Sequence, residues 1–141
     1  MSSGKILVDT SVWIDFFNGK QGPQVEYLAR GIREDQPLCL CPVIIQEILQ
    51  GITSDDYFEQ VKSNLLAFPM LQWDPVEAGI AAARLYRSLR KKGITIRKSN
   101  DCLIAAFARE MDAAVLHIDR DFSLMARAGV INEVVPGGGP A

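Results

Sequence analysis

Short apolar runs alternate along the chain with longer segments whose apolar residues recur every three or four positions. The short runs are bounded by polar residues, which is typical of buried strands, and the longer recurrence indicates amphipathic helices. The short runs predict strands at 5–8, 38–41, 114–118 and 130–135, and a further short one at 71–73. The recurrence predicts helices at 12–18, 23–33, 43–49, 55–67, 75–92, 99–111 and 121–128.

Polar residues at the predicted helix starts support these boundaries. Asp9, Ser54 and Asp74 each stand where a side-chain oxygen caps a helix, and Pro75 suits a first turn. Strands separated by helices predict an α/β fold, in which a parallel sheet has helices on both faces and the domain has three layers. Ligands of such sheets bind outside the carboxyl ends of the strands, at the point where strand order reverses.

The composition fits one globular domain. The chain has 141 residues, of which 48% are hydrophobic and 23% charged, so we expect a single domain over 1–141 with a flexible tail at about 136–141. Because no apolar run could cross a bilayer and no signal-peptide pattern opens the sequence, we expect no membrane association and a cytoplasmic location. Three cysteines in apolar surroundings, one histidine and no Cys-x-x-Cys pair argue against a structural zinc site.

The charges are unevenly distributed. The net charge is −2 and the pI about 5.4, which is not the overall signature of a nucleic-acid-binding protein. A basic strip that contains no acid nevertheless includes Arg84, Arg87, Arg90, Lys91, Lys92, Arg97 and Lys98. Such a run is typical of a solvated helix face and also of a surface that contacts phosphates, and both interpretations stay open.

Four acids stand where the predicted fold brings side chains together. Asp9 follows the first strand and Asp119 follows the strand at 114–118, so both lie at the carboxyl edge of the sheet. Asp101 opens a helix on its buried face, and Glu47 lies on the apolar stripe of another helix. Acids are seldom buried unless they are paired or bind a metal. Without basic partners, such a cluster predicts a cation site, and its oxygen ligands favour Mg²⁺ or Mn²⁺.

Each acid also has a simpler interpretation. Asp9 can be a helix cap, Asp101 can complement a helix dipole, and Asp119 and Asp121 suit a turn followed by a cap. Glu47 is the hardest to explain in this way, because an exposed position conflicts with its apolar stripe. The four positions together therefore indicate a site more strongly than any one of them does.

Four motifs follow one another across nearly the whole chain. They are Leu7-Val8-Asp9-Thr10-Ser11-Val12-Trp13-Ile14, Pro42-Val43-Ile44-Ile45-Gln46-Glu47-Ile48-Leu49-Gln50-Gly51, Asn100-Asp101-Cys102-Leu103-Ile104-Ala105-Ala106 and Leu116-His117-Ile118-Asp119-Arg120-Asp121-Phe122. In content and order they resemble the motifs of the PIN-domain family, and most closely those of the VapC-type toxins of prokaryotic toxin–antitoxin pairs.

The resemblance implies a PIN-like parallel-sheet fold and a Mg²⁺- or Mn²⁺-dependent endoribonuclease. Such an enzyme hydrolyses RNA phosphodiesters by metal-activated water and leaves a 5′-phosphate and a 3′-hydroxyl. The family's acidic quartet corresponds to Asp9, Glu47, Asp101 and Asp119. The metal would be held by Asp9, Asp101 and Asp119, and Glu47 would bind the metal or orient the water. Supporting positions correspond to Thr10, Ser11 and Asp121.

The resemblance also implies a homodimer and a small antitoxin that blocks the site, often with a basic side chain among the acids. The candidates to hold the RNA backbone are Arg84, Arg87, Arg90, Lys91 and Lys92. Such phosphate contacts position RNA but do not read its sequence, so neither the RNA target nor the antitoxin is identified.

Two other functions stay open on the sequence. An Asp-nucleophile phosphohydrolase or phosphotransferase would use Asp9, although Ser11 stands where a second aspartate would be expected. A non-catalytic RNA-binding or partner-binding module of the same fold would have no need of four mutually repelling acids. His117, at the end of a strand, is favoured as a hydrogen-bonded structural residue over a catalytic one.

Overall fold

The structure, a computed structural model, describes residues 3–137. Within that range the strands are β1 (Ile6–Val8), β2 (Leu38–Cys39), β3 (Ala114–Leu116) and β4 (Asn132–Glu133). The helices are α1 (Thr10–Phe17), α2 (Pro23–Arg33), α3 (Pro42–Gln50), α4 (Asp55–Leu66), α5 (Pro75–Lys91), α6 (Ser99–Glu110) and α7 (Arg120–Arg127). The predicted α/β class is confirmed.

The strands of this sheet are parallel and lie in the order β2-β1-β3-β4. The chain passes from β1 outward to β2 and then returns to β3 on the other side of β1, so strand order reverses between β1 and β3. Every residue of β1 is buried, which requires cover on both faces of the sheet. Helices supply that cover, and the predicted three-layer arrangement is confirmed.

The strands are shorter than predicted, and the predicted strand at 71–73 is wrong. Beside β2 the chain forms only a bridge between Leu40 and Met70, and the Leu71 N–H donates to the Leu40 carbonyl at 2.7 Å. A longer strand has no partner there, because Cys41 is already the N-cap of α3 and the chain leaves the sheet. At the edge of the sheet, β4 is likewise limited to Asn132–Glu133.

The helices begin at the predicted capping residues. Asp9, Ser54 and Asp74 each accept a backbone N–H in the first turn of α1, α4 and α5. Past the end of α5, Gly93 adopts a φ of 82°, a left-handed conformation that commonly ends a helix at glycine. The local polar signals therefore determine the helix boundaries within one or two residues.

The core fixes the first turn of α6 near the point where strand order reverses. Ile104, Ala105 and Ala108 of α6 are fully or almost fully buried, and the helix packs along α5. In α1, Trp13 stacks on Phe17 and meets Phe68 edge to face. Because closely packed side chains leave little freedom for a helix to shift, both helices that start at the sheet edge are held firmly.

The cysteines lie in the interior, as the sequence predicts. Cys39, Cys41 and Cys102 are buried and form no disulfide. Burial raises the pKa of Cys41 to about 12 and that of Cys102 to about 11. All three are therefore protonated thiols of apolar character at neutral pH.

The predicted tail falls largely outside the described residues. Residues 136–137 form a turn, and 138–141 lie beyond the range that the structure describes. Among residues 3–137, no helix has both the length and the apolar character that crossing a bilayer requires.

Candidate active site

Hydrogen bonds join the carboxyl ends of β1 and β3 and the residues that directly follow them. The Asp9 N–H donates to the Leu116 carbonyl at 2.9 Å, and the Ile118 N–H donates to Ser11 Oγ at 3.1 Å. These bonds continue the pairing of the two strands past their carboxyl ends. They bring Asp9 and Asp119 to one edge of the sheet, where strand order reverses and ligands of parallel sheets bind.

Asp9 caps α1 and is buried. Its Oδ2 accepts hydrogen bonds from the Ser11 N–H at 3.1 Å and from the Ser11 hydroxyl at 2.6 Å. Burial raises the pKa of Asp9; the bonds from Ser11 oppose this rise, and the charges of Asp119 and Glu47 add to it. The capping interpretation thus accounts for its hydrogen bonds, but not for the placement of a buried acid beside other acids.

Asp101 lies in the first turn of α6 and is only 3% exposed. Its Oδ2 is buried, and no group within residues 3–137 bonds to it. Burial raises the pKa of Asp101 to about 8, the negative charges of Asp119 and Asp9 contribute to the rise, and Lys98 opposes it. A buried carboxylate oxygen without a partner is costly unless a proton or a cation satisfies it.

Asp119 caps α7, and its Oδ1 accepts the Asp121 N–H at 2.8 Å. Asp101, Asp119 and Asp121 each offer one carboxylate oxygen such that all three lie within 4.8 Å of one another. Two of the predicted ligands are therefore brought together, and Asp121 joins them from a position predicted as supporting. Asp9 lies outside this close group and interacts with Asp119 and Asp101 through its charge.

Glu47 is half-buried and connects two segments of the site. Its Oε1 accepts a hydrogen bond from Thr10 Oγ1 at 2.6 Å, and its Oε2 accepts one from Asn100 Nδ2 at 3.4 Å. Thr10 directly follows Asp9, and Asn100 directly precedes Asp101. The position of Glu47 on an apolar stripe is thus explained, since α3 places its carboxylate at the border of the acidic cluster rather than within the core.

Two acids of the cluster have basic partners, so the condition under which the sequence predicts a cation site is not fully met. Lys98 Nζ lies 2.7 Å from Asp119 Oδ2. The Arg97 N–H donates to Asp121 Oδ2 at 3.1 Å, and Arg97 Nε lies 3.9 Å from Asp121 Oδ1. Burial acts to raise the pKa of Asp119, but the hydrogen bond from Lys98 and other interactions hold it below its usual value. Both basic residues belong to the basic strip, and the overlooked signal was their position directly before α6.

His117 is buried between two hydrogen-bonding partners. Its Nδ1 accepts the Asp119 N–H at 3.1 Å, and its Nε2 lies 2.7 Å from Glu133 Oε2. Because Nδ1 accepts a hydrogen bond, Nε2 carries the proton and donates it to Glu133. This geometry favours a structural role for His117. Glu133, in β4, is the partner that sequence reasoning did not single out.

The remainder of the basic strip lies on solvent-exposed surface. Its exposed members on α5 and at the end of that helix are Arg84, Arg87, Arg90, Lys91 and Lys92. Arg84 lines a groove of about 470 Å³ between α5 and α6, together with Trp73 and Arg109. Among the described residues, the recorded ion pairs to the acidic cluster come from Arg97 and Lys98 and not from these residues.

The donor atoms of the cluster suit a hard divalent cation. The atoms on offer are carboxylate oxygens, which Mg²⁺ and Mn²⁺ prefer. Zinc sites usually include nitrogen or sulfur ligands, whereas both ring nitrogens of His117 are already hydrogen-bonded. The unpartnered Oδ2 of Asp101 is the atom whose burial a bound cation would offset. The residues present therefore fit a magnesium or manganese ion.

A protein-family model described as PIN domain matches residues 6–128, which include every acid of the cluster. Two similar proteins are the VapC ribonuclease Mb1587 of Mycobacterium bovis and the ribonuclease VapC11 of Mycobacterium tuberculosis. Each is 35% identical over 123 residues, which is 86% of this chain and 92% of the relative.

Solved structures share the fold at low sequence identity. VapBC2 from Rickettsia felis, bound to a DNA fragment from its promoter, matches with a TM-score of 0.71 and 13% identity, over 92% of this chain and 96% of that chain. FitAcB from Neisseria gonorrhoeae matches with a TM-score of 0.68 and 18% identity, over 95% of this chain and 99% of that chain. Both similarities support the parallel α/β architecture.

Proposed function

The chain belongs to the PIN-domain family, and we propose that it is an endoribonuclease that acts as the toxin of a VapBC-type toxin–antitoxin pair. The support is twofold. Relatives that share 35% identity over most of the chain are named VapC ribonucleases, and the acids cluster where ligands of such sheets bind. The finer part of the proposal is that cleavage depends on Mg²⁺ or Mn²⁺.

One observation carries the proposed metal dependence. Three carboxylate oxygens of Asp101, Asp119 and Asp121 lie within 4.8 Å, and Asp101 Oδ2 is buried without a partner among the described residues. Of the three predicted metal ligands, we propose that Asp101 and Asp119 hold the cation, while Asp9, which lies outside their close group, acts through its charge, and Asp121 lies beside them. A divalent cation bound there would lower the pKa of a water molecule and would neutralise charge on the phosphate.

The side chains around these acids have supporting roles in the proposal. The Ser11 hydroxyl donates to Asp9 and accepts the Ile118 N–H, so it keeps that carboxylate at the edge of the sheet. Thr10 holds Oε1 of Glu47, while Oε2 is engaged only by a long hydrogen bond. We therefore assign to Glu47 the task of orienting the attacking water and accepting its proton.

The proposed partners follow from the relatives. Solved structures that share the fold include VapBC assemblies and one named as a toxin–antitoxin complex, from Klebsiella pneumoniae. On this basis we propose a cognate antitoxin that covers the acidic cluster. We also propose a homodimer as the assembled form. RNA is the proposed substrate. Its backbone would contact the exposed basic residues Arg84, Arg87, Arg90, Lys91 and Lys92.

Metal removal tests the proposed reaction. We expect the purified chain to leave a labelled single-stranded RNA intact in EDTA and to cleave it when excess Mg²⁺ or Mn²⁺ is added, with 5′-phosphate and 3′-hydroxyl ends. Undiminished cleavage in EDTA would contradict the metal dependence. RNA binding without cleavage in either metal would favour a non-catalytic module, and transfer of a phosphoryl group to Asp9 would favour an Asp-nucleophile phosphohydrolase.

Charge reversal tests the basic strip. The double variant Arg87→Glu, Arg90→Glu is expected to weaken RNA binding. It is also expected to reduce the slope of log affinity against log salt concentration by at least about 1, because each lost contact with a phosphate of single-stranded RNA reduces that slope by about 0.7. Fluorescence anisotropy at several salt concentrations measures both effects.

The control pair for this experiment is Arg30→Glu with Arg33→Glu. These arginines have the same spacing in the last turn of α2, and Arg30 lies over Tyr27 much as Arg90 lies over Tyr86, at 5.6 and 5.7 Å. We expect the control pair to retain RNA binding. If both double variants lost RNA affinity equally, the basic residues of α5 would be interpreted as a solvated helix face.

A further inference from the structure

The backbone on both sides of Lys98 is fixed by residues of the acidic cluster. Lys98 is the N-cap of α6, and its carbonyl accepts the Asp101 N–H at 2.9 Å. The preceding N–H, that of Arg97, donates to Asp121 Oδ2 at 3.1 Å. The Lys98 side chain therefore starts from a defined point directly beside the cluster.

The ammonium group of Lys98 is bound to the cluster from its solvent side. Nζ lies 2.7 Å from Asp119 Oδ2, while the Lys98 side chain is 60% exposed and that of Asp119 only 8%. The charges of Asp101 and Asp9 also attract this ammonium group. Lys98 is thus a cation on a long, flexible and accessible side chain, held by the same carboxylate that we assign to the metal.

A divalent cation bound at Asp119 would compete with the Lys98 ammonium group for that carboxylate. Both carry positive charge, so binding to Asp119 at the same time brings like charges within a few ångströms of each other, where they repel. Since the side chain of Lys98 is exposed, it can leave Asp119 without disturbing the core. Lysine is also an effective point-charge ligand for phosphate oxygens.

We propose that Lys98 is the resident counter-cation of the acidic cluster, that it yields Asp119 to the incoming divalent metal, and that its ammonium group then holds a phosphate oxygen of the RNA. This inference rests on the proposed function for both the metal and the RNA. It assigns to one residue two opposite effects, since Lys98 weakens metal binding and strengthens substrate binding.

The test uses the complete chain with Lys98→Met. We expect Mn²⁺ to bind about tenfold more tightly than to the unmodified chain, because one competing charge has been removed, as measured by isothermal titration calorimetry. In the presence of Mn²⁺, and with Glu47→Gln added to both the unmodified chain and the variant so that the RNA stays intact, affinity for the RNA is expected to fall about tenfold. Lys98→Arg keeps the charge and is expected to retain most of both properties.

Two further variants separate these effects from general changes in stability. Lys62→Met removes a partly exposed lysine that pairs with Glu59 at 2.8 Å, far from the site in sequence, and is expected to change neither affinity. Lys98→Gln keeps a hydrogen-bond donor without the charge. We expect it to lower the melting temperature in EDTA and to show a larger rise on addition of Mn²⁺ than the unmodified chain.

The outcomes distinguish this inference from the function on which it rests. If the unmodified chain binds Mn²⁺ and both Lys98→Met and Lys98→Gln bind it no more tightly, the inference is overturned and the proposed nuclease stands. Tighter Mn²⁺ binding with unchanged RNA affinity would overturn the role of Lys98 at the phosphate. If the unmodified chain binds no Mn²⁺, the proposed metal dependence fails as well.

Discussion

Replacing Asp101 by asparagine is expected to lower RNA cleavage at least ~100-fold and to increase the free energy of unfolding of the metal-free protein at pH 8. Cleavage falls because the amide removes the charge of a proposed metal ligand, and metal sites supply several kcal/mol of transition-state stabilisation, at about 1.4 kcal/mol per tenfold in rate. Stability rises because burial and the charges of Asp119 and Asp9 oppose the ionised form of Asp101. Initial rates in excess Mn²⁺ and urea unfolding in EDTA measure the two effects.

Asp35→Asn is the matched control for this substitution. Asp35 is exposed and has a φ of 55°, a conformation that asparagine adopts more readily than most residues. We expect the Asp35→Asn variant to have the same cleavage rate and the same free energy of unfolding as the unmodified chain. Full activity in Asp101→Asn would remove Asp101 from the proposed metal site. If Asp101→Asn were less stable than the unmodified chain in EDTA, the charge of Asp101 would not be unfavourable in the metal-free site.

The placement of Asp9, Asp101 and Asp119 at one edge of the sheet is predictable from the sequence, because it depends on local signals and one topological rule. Asp9 and Asp119 directly follow apolar runs, and Asp101 opens a helix. Parallel strands connected by helices then bring such positions to one edge of the sheet. No side-chain detail is needed to reach this conclusion, and the parallel sheet with its order β2-β1-β3-β4 agrees with it.

The partners of these acids are not predictable in the same way. Lys98 reaches Asp119 from 21 residues away, and Asn100 reaches Glu47 from 53 residues away. Each contact depends on the rotamer of a long side chain and on the packing of two helices, neither of which leaves a periodic signal in the sequence. A charge run such as the basic strip shows only that cations are near one another. It does not show which of them turns toward an acid.

The lengths of the strands cannot be predicted from the sequence, for a related reason. An apolar run predicts where a strand can form, but a strand extends only as far as its neighbour offers hydrogen-bonding groups. The segment after Pro69 satisfies this requirement only at Met70, where it forms a bridge with Leu40. Register and edge position are properties of the assembled sheet, and they limit β2 and β4 to two residues each.

The stability of the metal-free protein is expected to fall as the pH rises from about 5 to about 8.5. Folding raises the pKa of Asp101 from 3.8 to about 8 and raises that of Asp9 in the same direction, in both cases chiefly through burial. A carboxyl group of this kind binds its proton more tightly when folded. Its stabilising contribution is therefore complete below the unfolded pKa and is lost as the pH rises through the folded value. Since one pKa unit corresponds to about 1.4 kcal/mol, we expect a loss of at least ~2 kcal/mol.

Urea unfolding in EDTA at a series of pH values measures this loss of stability. The same series in excess Mn²⁺ measures how much of the lost stability the metal restores. Asp119 does not reverse the trend, because its lowered pKa places its own contribution below this pH window. Bound cations compete with protons for carboxylates, so stabilisation by Mn²⁺ is expected to grow with pH and to reach about 2.7 kcal/mol at one hundred times its Kd. Asp101→Asn should flatten the profile in EDTA, whereas Asp35→Asn should preserve it. If the free energy of unfolding of the unmodified chain in EDTA did not change with pH, the raised pKa of Asp101 would be contradicted. If Mn²⁺ stabilised the chain equally at the lowest and the highest pH, the metal would not compete with the Asp101 proton.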